Sequence, residues 1–452
     1  MTKDMTQGNP TKLILGFWIP MLLGYLLQQV YGMVDTLIVG RFLGVEALAA
    51  VGATGSINFL VLGFCTGICS GFTIPIAHKF GAGDYHGLRK FVANSVWLGS
   101  ICAVVLTVST VALCRLILEL MNTPENIINQ SHSYIAVIFM GIPLVFLYNI
   151  VAGIIRSVGD SRTPVIFLTI SSVLNIVLDI VFITTFHMGV AGAAWATVCS
   201  QAVSGILCLL YMKKFEILHL HKEEWKLNGQ MIGTLCGMGI PMGLQYSITA
   251  IGSVVLQTAV NGLGVVAVAA TTAAERLGGF CTGTVESLGA TMSTYVGQNI
   301  GAGRMDRIKS GMKACLKIGV VYSLLAFLFI LCFGGPLGKL FVEAEDAALV
   351  AEILEKMKFF MRANGAFYLA VMLLVVLRFS IQGMGFPGFA ILAGVFEMVA
   401  RCLAGFVLIP LFGFTAAAFA HPLAWVAANI FLVPAFIHIY KKMDRMLGKA
   451  HD

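Results

Sequence analysis

The sequence predicts an all-α integral membrane protein of about twelve transmembrane helices, arranged as two pseudo-symmetric six-helix bundles around a central cleft. The first reason is composition: 58% of the 452 residues are hydrophobic and only 11% are charged, whereas a soluble domain carries about 25% charged residues. The second reason is a series of long apolar stretches. The third is that motifs of the first half of the chain recur in the second half.

About twelve apolar stretches meet the length of a membrane span, which is about 20 residues. In chain order they cover residues 14–39, 48–76, 91–118, 133–155, 164–186, 190–212, 232–260, 266–297, 312–334, 358–381, 387–411 and 415–440. Lys and Arg concentrate in alternate connections, which predicts that both termini are cytoplasmic and that the membrane is a bacterial inner membrane or an equivalent one. The predicted cytoplasmic connections include Lys79, Arg89, Lys90, Arg156, Arg162, Lys213, Lys214, Lys222, Lys226, Arg304, Arg307 and Arg378, and the predicted outer side carries Glu119, Glu125, Glu343, Glu345 and Asp346.

The same composition excludes several classes of protein. Low charge and high hydrophobicity argue against a soluble enzyme and against disorder. The net charge of +7 forms no basic stripe with interleaved aromatic residues, so we expect no nucleic-acid partner. The sequence has no H-E-x-x-H, P-loop or G-x-S-x-G motif, and nearly all of its cysteines lie in apolar runs as small hydrophobic residues. We therefore expect no enzymatic activity and no cofactor, with an ion gradient as the energy source.

An internal duplication organises the chain. Ile19-Pro20-Met21 recurs as Ile240-Pro241-Met242, and Gly81-Ala82-Gly83 recurs as Gly301-Ala302-Gly303. Six spans in each half are an even number, so both halves begin on the same side and the repeat axis follows the membrane normal. Such bundles suit alternating access in transporters, although channels and membrane enzymes also use duplicated bundles. The predicted division is an N-lobe over 1–212, a cytoplasmic linker over 213–230 and a C-lobe over 231–452.

Polar groups inside the predicted spans of the first half indicate a site. A charged group at bilayer depth is costly and usually faces a cavity or a partner. Asp35 lies late in the first span, and Asn175 and Asp179 are four residues apart, hence on one face of the fifth helix. Their oxygens suit a small cation or a proton relay, with the Thr197 hydroxyl as an additional oxygen. The alternatives are an interfacial Asp35 near the outer headgroups and simple helix–helix hydrogen bonding by Asp179.

The second half carries ionisable groups of a different kind. Glu275 and Glu286 are eleven residues apart, so they lie on nearly one face of the eighth helix. They either line the cavity of the second half or pair with Arg276 or Arg401. Glu397 lies four residues before Arg401, which predicts a structural ion pair.

Pro20 lies in the middle of the first span and predicts a bend there. We interpret Pro20 as a hinge that moves Asp35 relative to the fifth helix when a proton binds. The alternative is a static kink, and Pro241 occupies the matching place in the second half.

At these residues the chain resembles the MATE family, the multidrug and toxic compound extrusion transporters, over nearly its whole length. The resemblance depends on Val34-Asp35-Thr36, on Asn175 with Asp179, and most specifically on the string Val296-Gly297-Gln298-Asn299-Ile300-Gly301-Ala302-Gly303-Arg304. It implies twelve helices in two lobes that face a central cleft. It also implies export of varied, often cationic and aromatic compounds, driven by inward flow of protons or sodium ions.

The resemblance also implies roles for particular residues. The family's N-lobe ion site has an acid on the first helix, Asn and Asp on the fifth and Thr on the sixth, and these match Asp35, Asn175, Asp179 and Thr197, a candidate Na⁺ or proton site. Some branches carry acids on helices seven and ten, but the seventh span here offers no acid, so the chain is similar to the DinF-like branch. The candidate residues of the substrate cleft are Gln28, Tyr31, Asn149, Gln245, Gln257 and Glu275.

The leading hypothesis is a secondary antiporter that exports lipophilic or cationic organic compounds against protons or sodium ions. We expect small-molecule drugs and the lipid bilayer as its partners, and a monomer as its oligomeric state. The alternatives are a flippase for lipid-linked oligosaccharides from the same superfamily and a channel. A flippase needs cationic residues in its cleft, for which Arg276 and Arg401 are the candidates.

Overall fold

The computed structural model describes residues 4–121, 123–339 and 347–448. Over these ranges the chain is mostly helical and contains no β-strand, which confirms the predicted all-α fold class. Glu343, Glu345 and Asp346, which the sequence places on the outer side, lie outside the described residues.

The helices form twelve rods in chain order, which we number α1 to α12 and divide into segments a and b where a rod is broken. They are α1 (Pro10–Leu43), α2a (Val45–Ala53) with α2b (Gly55–Gly81), α3 (Tyr85–Leu120), α4a (Glu125–Met140) with α4b (Ile142–Ser157), α5 (Arg162–Ile180), α6 (Val190–Met212), α7 (Gly229–Asn261), α8 (Val265–Gly301), α9 (Met305–Gly338), α10a (Ala347–Ala366) with α10b (Tyr368–Gly383), α11 (Pro387–Leu403) and α12 (Phe414–Gly448). Each rod of the described chain corresponds to one predicted span, in the same order. Short 3₁₀ turns at Glu216–Leu218 and Lys222–Trp225 lie in the connection between α6 and α7.

Most rods have the length and apolar character of membrane spans. In the part of the chain that the structure describes, nine helices meet this standard, and the two bent pairs α4a–α4b and α10a–α10b raise the total to eleven. The remaining rod, α8, has 37 residues and is long enough to cross a bilayer. Its Glu, Arg, Thr and Gly residues make it less apolar than the others.

The two halves repeat their irregularities as well as their helices. The bend between α4a and α4b is 42°, and the bend at the matching break in α10 is 49°. A turn of π-helix follows α5 at Val181–Thr185, and another follows α11 at Ala404–Leu408. Gly83 and Gly303 each have φ of 68° in the turns after α2b and α8, a conformation that glycine adopts without a steric penalty. The last glycine of each repeated Gly-Ala-Gly motif is therefore explained by the backbone conformation that the turn requires.

The chain forms two compact units. The first takes in Leu15–Leu244, Gly297–Ala302 and the described residues before Gly8. Its interior contains α4b packed against α2b and α6, with α5 packed against α6. Phe72, Phe139 and Ile154 are among its fully or almost fully buried side chains.

The second unit takes in Gly8–Ile14, Gln245–Val296 and the described residues from Gly303 onward. Within it α12 packs against α11 and α10b, and α9 packs against both segments of α10. The predicted lobe boundaries at 212 and 230 follow the sequence repeat rather than the contacts, and they stay a prediction.

Both prolines of the repeated Ile-Pro-Met motif lie inside continuous helices. Pro20 lies within α1 and Pro241 within α7, and the helix runs through each of them. The hinge role of Pro20 stays a prediction.

Candidate functional site

A pair of acids lies inside the first unit. Asp35 projects from α1 and Asp179 from α5, and the two carboxyl groups lie near each other. Asn175 lies one turn before Asp179 on the same helix, and both side chains are fully buried. The three groups therefore lie together in the structure, and their role as an ion site stays a prediction.

Hydroxyl groups complete the surroundings of the acid pair. The Asn175 Nδ2 amide donates to Thr197 Oγ1 at 3.4 Å, and that hydroxyl in turn donates to the Ala193 carbonyl at 3.1 Å. Tyr31, a predicted cleft residue, lies near Thr197 and near both carboxyls. Tyr134 also lies near both carboxyls, and sequence reasoning missed it.

Among the residues that the structure describes, four buried oxygen atoms of this cluster have no hydrogen-bond partner. They are Asp35 Oδ1, Asn175 Oδ1 and both carboxylate oxygens of Asp179. All four act as acceptors when the acids are ionised, and a buried acceptor without a donor is unfavourable by about 1–3 kcal/mol. Protons or a positive charge would therefore stabilise the cluster. Carboxylate and amide oxygens are suitable ligands for a hard cation, so the residues present fit a bound proton or a small cation such as Na⁺.

The local fold explains how α5 and α6 bring these groups together. The π-helical turn Val181–Thr185 begins directly after α5, two residues past Asp179. Such turns insert an extra residue into a helix and recur at functional sites. Gly189, with φ of 59°, then starts the return helix α6. The return places Thr197 beside Asn175.

The other predicted cleft residues of the first unit do not join this cluster through any described contact. Gln28 is exposed on α1. Asn149 is half-buried on α4b, and its side-chain amide donates to the Val145 carbonyl of its own helix at 2.8 Å.

The predicted cleft residues of the second unit form separate pairs. Gln245 is buried and accepts a hydrogen bond from Gln382 at 2.7 Å. Gln257 donates to its helical neighbour Asn261 at 2.9 Å. The Glu275 carboxylate lies 3.3 Å from His421 Nε2. The described contacts do not bring Gln245, Gln257 and Glu275 into one site.

The second unit contains an ion-pair network of which the sequence predicted only the pair of Glu397 and Arg401. Arg378 contacts Glu286 at 3.0 Å and Glu397 at 3.1 Å, and Arg401 contacts the other oxygen of Glu397 at 3.3 Å. The last contact confirms the predicted pair of Glu397 and Arg401. Among the described contacts Glu286 pairs with Arg378, which neither of the two alternatives for this residue included.

The placement of Arg378 in a cytoplasmic connection was also wrong. It lies within α10b, and only 6% of its side chain is exposed. The signal was present in the sequence, because the apolar run Val375-Val376-Leu377 precedes the arginine and Phe379 follows it.

Part of the string Val296–Arg304, at the end of α8, has a structural role in the first unit. The Gln298 amide donates to the Ser157 carbonyl at 2.8 Å and accepts from the Met5 backbone N–H at 2.8 Å. A Cβ atom on Gly81 would lie 1.8 Å from the Gln298 carbonyl oxygen, and one on Gly301 would lie 1.8 Å from the His78 carbonyl oxygen. The two repeated glycines therefore permit close contact of two helix backbones.

Two helical repeats of membrane-spanning length and a buried polar site are the features of a multi-pass membrane transporter. The family model described as MatE matches residues 20–181 and 241–407, one stretch in each repeat, and the chain therefore belongs to the MATE family. This confirms the resemblance seen in the sequence.

Relatives of known name agree with this assignment. The chain is 31% identical over 352 residues to the probable multidrug resistance protein YpnP of Bacillus subtilis strain 168, which covers 77% of this chain and 78% of the relative. It is 25% identical over 447 residues to the multidrug export protein MepA of Staphylococcus saprophyticus, over 97% and 96% of the two chains. A protein named FAD transporter from Shewanella oneidensis is 25% identical over 73% of this chain and 74% of its own length.

Solved structures share the fold. A crystal structure of MATE in complex with MaL6 has a TM-score of 0.90 at 23% identity and covers 98% of this chain and all of that chain. An outward-facing multidrug resistance MATE family transporter of the MOP superfamily has a TM-score of 0.89 at 22% identity, over 98% and 99% of the two chains. The relatives and the fold are those of transporters, and they do not favour the flippase or channel alternatives.

Proposed function

We propose that this chain is a secondary multidrug exporter, which moves lipophilic and cationic organic compounds outward against an inward flow of protons or sodium ions. The observation that carries the proposal is the set of buried oxygens on Asp35, Asn175 and Asp179 that have no donor. The names of the relatives, among them multidrug export proteins, support the substrate class. The exporter acts as a monomer, since one chain carries both repeats, in an inner membrane with both termini in the cytoplasm.

The acid pair explains how an ion controls the equilibrium. Two ionised carboxylates that face each other in a low-dielectric site repel one another, and a bound proton or cation removes that repulsion. Asp35 and Asp179 lie on different helices, α1 and α5, so ion binding favours one separation of these helices and ion release favours another. A cationic substrate that interacts with the same acids competes with the ion, and this coupling is reciprocal.

The arginine partners of the carboxylates in the second unit support placing the ion site in the first unit. Glu397 has arginine partners on both of its oxygens, and Glu286 has Arg378. These carboxylates are already neutralised by side chains of the chain itself. The described acid pair of the first unit has no such arginine, so it is the better site for an exchangeable cation.

The test is efflux of a fluorescent organic cation from proteoliposomes, with a pH gradient and a sodium gradient imposed separately. Wild-type protein should respond to one of the two gradients, and Asp35→Asn and Asp179→Asn should each lose that response at equal reconstitution. Glu46→Gln is the matched control, because it removes an exposed carboxylate at the start of α2a. Gradient-driven efflux by both Asp variants at the wild-type rate would overturn the proposal.

A further inference from the structure

One face of α3 changes in character along its length. Lys90, Asn94, Trp97, Ile101 and Val108 are separated by three, four or seven residues, so they follow one side of the helix. The exposed fraction is 43% for Trp97, 55% for Ile101 and 63% for Val108. The face therefore passes from a cation through a tryptophan to bare aliphatic side chains. Exposed aliphatic residues on a membrane-spanning helix contact lipid tails.

The connection between α6 and α7 packs on the polar end of this face. Trp97 Nε1 donates to the Trp225 carbonyl at 3.2 Å, and the two indole rings meet edge to face at 6.3 Å. Asn94 accepts from the Asn228 backbone N–H at 3.0 Å. Its amide nitrogen lies 2.8 Å from the Lys90 carbonyl and 3.5 Å from the Lys226 carbonyl. One buried asparagine therefore holds the backbone of Lys226 against α3, next to the Lys90 carbonyl.

A second set of contacts holds the connection against α3. These contacts engage the carboxylate of Glu224. The Glu224 side chain is buried, and it contacts Arg89 Nε at 2.5 Å and accepts from the His221 N–H at 2.9 Å. Burial opposes ionisation of Glu224, but the His221 N–H, Arg89 and His86 together hold its pKa below its usual value. Lys90 and Lys226 have no carboxylate within 4 Å among the residues that the structure describes. Their charges are available to a ligand.

We propose that Lys90, Trp97, Ile101, Trp225 and Lys226, which we call the α3 lipid face, bind a membrane phospholipid with an anionic headgroup. The two lysines meet the phosphate, the paired tryptophans lie at the level of the interface, and the aliphatic residues below contact an acyl chain. Tryptophan prefers the membrane interface, and a basic residue near the surface attracts anionic lipid. The order of these groups along α3 matches the order of headgroup, interface and tail in a lipid.

Charge decides between an anionic and a zwitterionic lipid. A zwitterionic headgroup has no net charge to satisfy Lys90 and Lys226, whereas phosphatidylglycerol carries one negative charge. We expect a preference of about fivefold for each lysine, because the attraction is about 1 kcal/mol per basic residue. The inference concerns the first unit alone and does not depend on the proposed transport function.

The experiment measures lipid binding to the detergent-solubilised full chain by native mass spectrometry, with equal amounts of phosphatidylglycerol and phosphatidylcholine. Wild-type protein should retain phosphatidylglycerol preferentially, and the double variant Lys90→Gln/Lys226→Gln should lose most of that preference. The control Lys213→Gln/Lys214→Gln removes the same charge from exposed lysines at the other end of the connection and should retain it. In bilayers, brominated phosphatidylglycerol should quench tryptophan fluorescence more than brominated phosphatidylcholine, and only the site variant should reduce the difference.

Three results would overturn the proposal. The first is equal retention of the two lipids by wild-type protein. The second is equal loss in the site and control variants, which would mean that only net charge matters. The third is loss of the preference on adding inorganic phosphate at constant ionic strength, since the site would then bind free phosphate rather than lipid.

Discussion

Asn175 donates its side-chain amide to the Thr197 hydroxyl at 3.4 Å, and this bond leaves the Asn175 Oδ1 atom without a donor beside the acid pair. The bond joins α5 to α6 and decides which end of the amide is available to a cation. An amide nitrogen in that place would instead repel one. The orientation of one asparagine is therefore part of the chemistry of the site.

Replacing Thr197 by valine should weaken ion binding. The variant removes the acceptor of the Asn175 amide and frees that amide to rotate, so the apparent affinity for the coupling ion should fall about tenfold. Efflux at a saturating gradient should persist, because both acids are still present. Transport rates measured over a range of pH or sodium concentration give the shift.

Thr169→Val is the matched control for this prediction. The Thr169 hydroxyl donates to the Val165 carbonyl within α5, so its loss leaves the site intact. An equal change in ion affinity for the two variants would contradict the role given to Thr197.

Arg378→Met should destabilise the second unit strongly. It leaves Glu397 with Arg401 alone and Glu286 with no described partner, and loss of one member of a buried ion pair costs about 3–5 kcal/mol. The half-exposed Glu286 contributes less, because solvent screens it. The melting temperature of the purified protein, measured by tryptophan fluorescence, should fall clearly.

Lys356→Met provides the comparison for Arg378. Lys356 pairs with Glu352 at 3.0 Å, but both side chains are partly exposed, and such pairs contribute about 1 kcal/mol or less. Similar melting temperatures for the two variants would mean that the Arg378 network is not what holds α8, α10b and α11 together.

The connection between α6 and α7 should separate from α3 at acid pH. The pKa of Glu224 is below its ordinary value of 4.5 in the folded protein. Its contribution to stability is therefore complete above pH 4.5 and is lost as the pH falls through the lower folded value. Fluorescence of the Trp97–Trp225 pair should report this loss below pH 4.5.

Glu224→Gln should show already at neutral pH the tryptophan fluorescence that is expected when the connection has separated from α3. The reason is that an amide cannot keep the charged contact with Arg89. Glu223→Gln, an exposed neighbour, should titrate like the wild type. A wild-type spectrum for Glu224→Gln at every pH would show that the ion pair does not hold the connection.

Gly81→Ala should disturb the contact between α2b and the end of α8. The added Cβ atom would lie 1.8 Å from the Gln298 carbonyl oxygen, which belongs to backbone and cannot rotate away. Overpacking of this kind costs about 1–3 kcal/mol, so the melting temperature should fall. Gly52→Ala has open space around it and should be neutral or stabilising by up to about 1 kcal/mol. A lower melting temperature for Gly52→Ala than for Gly81→Ala would contradict this account.

Much of the fold could be predicted, because the length of the apolar stretches and the basic residues in the connections between them indicate the helices and their order. The twelve rods, their order and the repeat all follow from patterns along the chain. The bend within α4 has a sequence signal, since Gly141 lies at the break and Pro143 directly follows it. The bend within α10 could not be predicted in this way, because no proline lies at its break near Phe367. The π-helical turns after α5 and α11 have no distinct sequence signal either.

The candidate site could also be predicted only in part. Asp35 and Asp179 are conspicuous because an acid in an apolar run is rare, and the four-residue spacing places Asn175 with Asp179. Tyr134 could not be found, because a tyrosine in a helix is ordinary until the tertiary structure places it near two acids. The partners of Arg378 lie 19 and 92 positions away, so only the folded chain reveals them.

The ion-pair network around Arg378 has a consequence for the history of the duplication. Both copies inherited the same bends, π-helical turns and glycine contacts, so the shared ancestor contributed the scaffold. The two copies differ in electrical character: the first has an acid pair with no described arginine partner, and the second pairs Glu286 and Glu397 with Arg378 and Arg401. On the proposed function, a chimera built from two second halves would keep the architecture and lack the ion site.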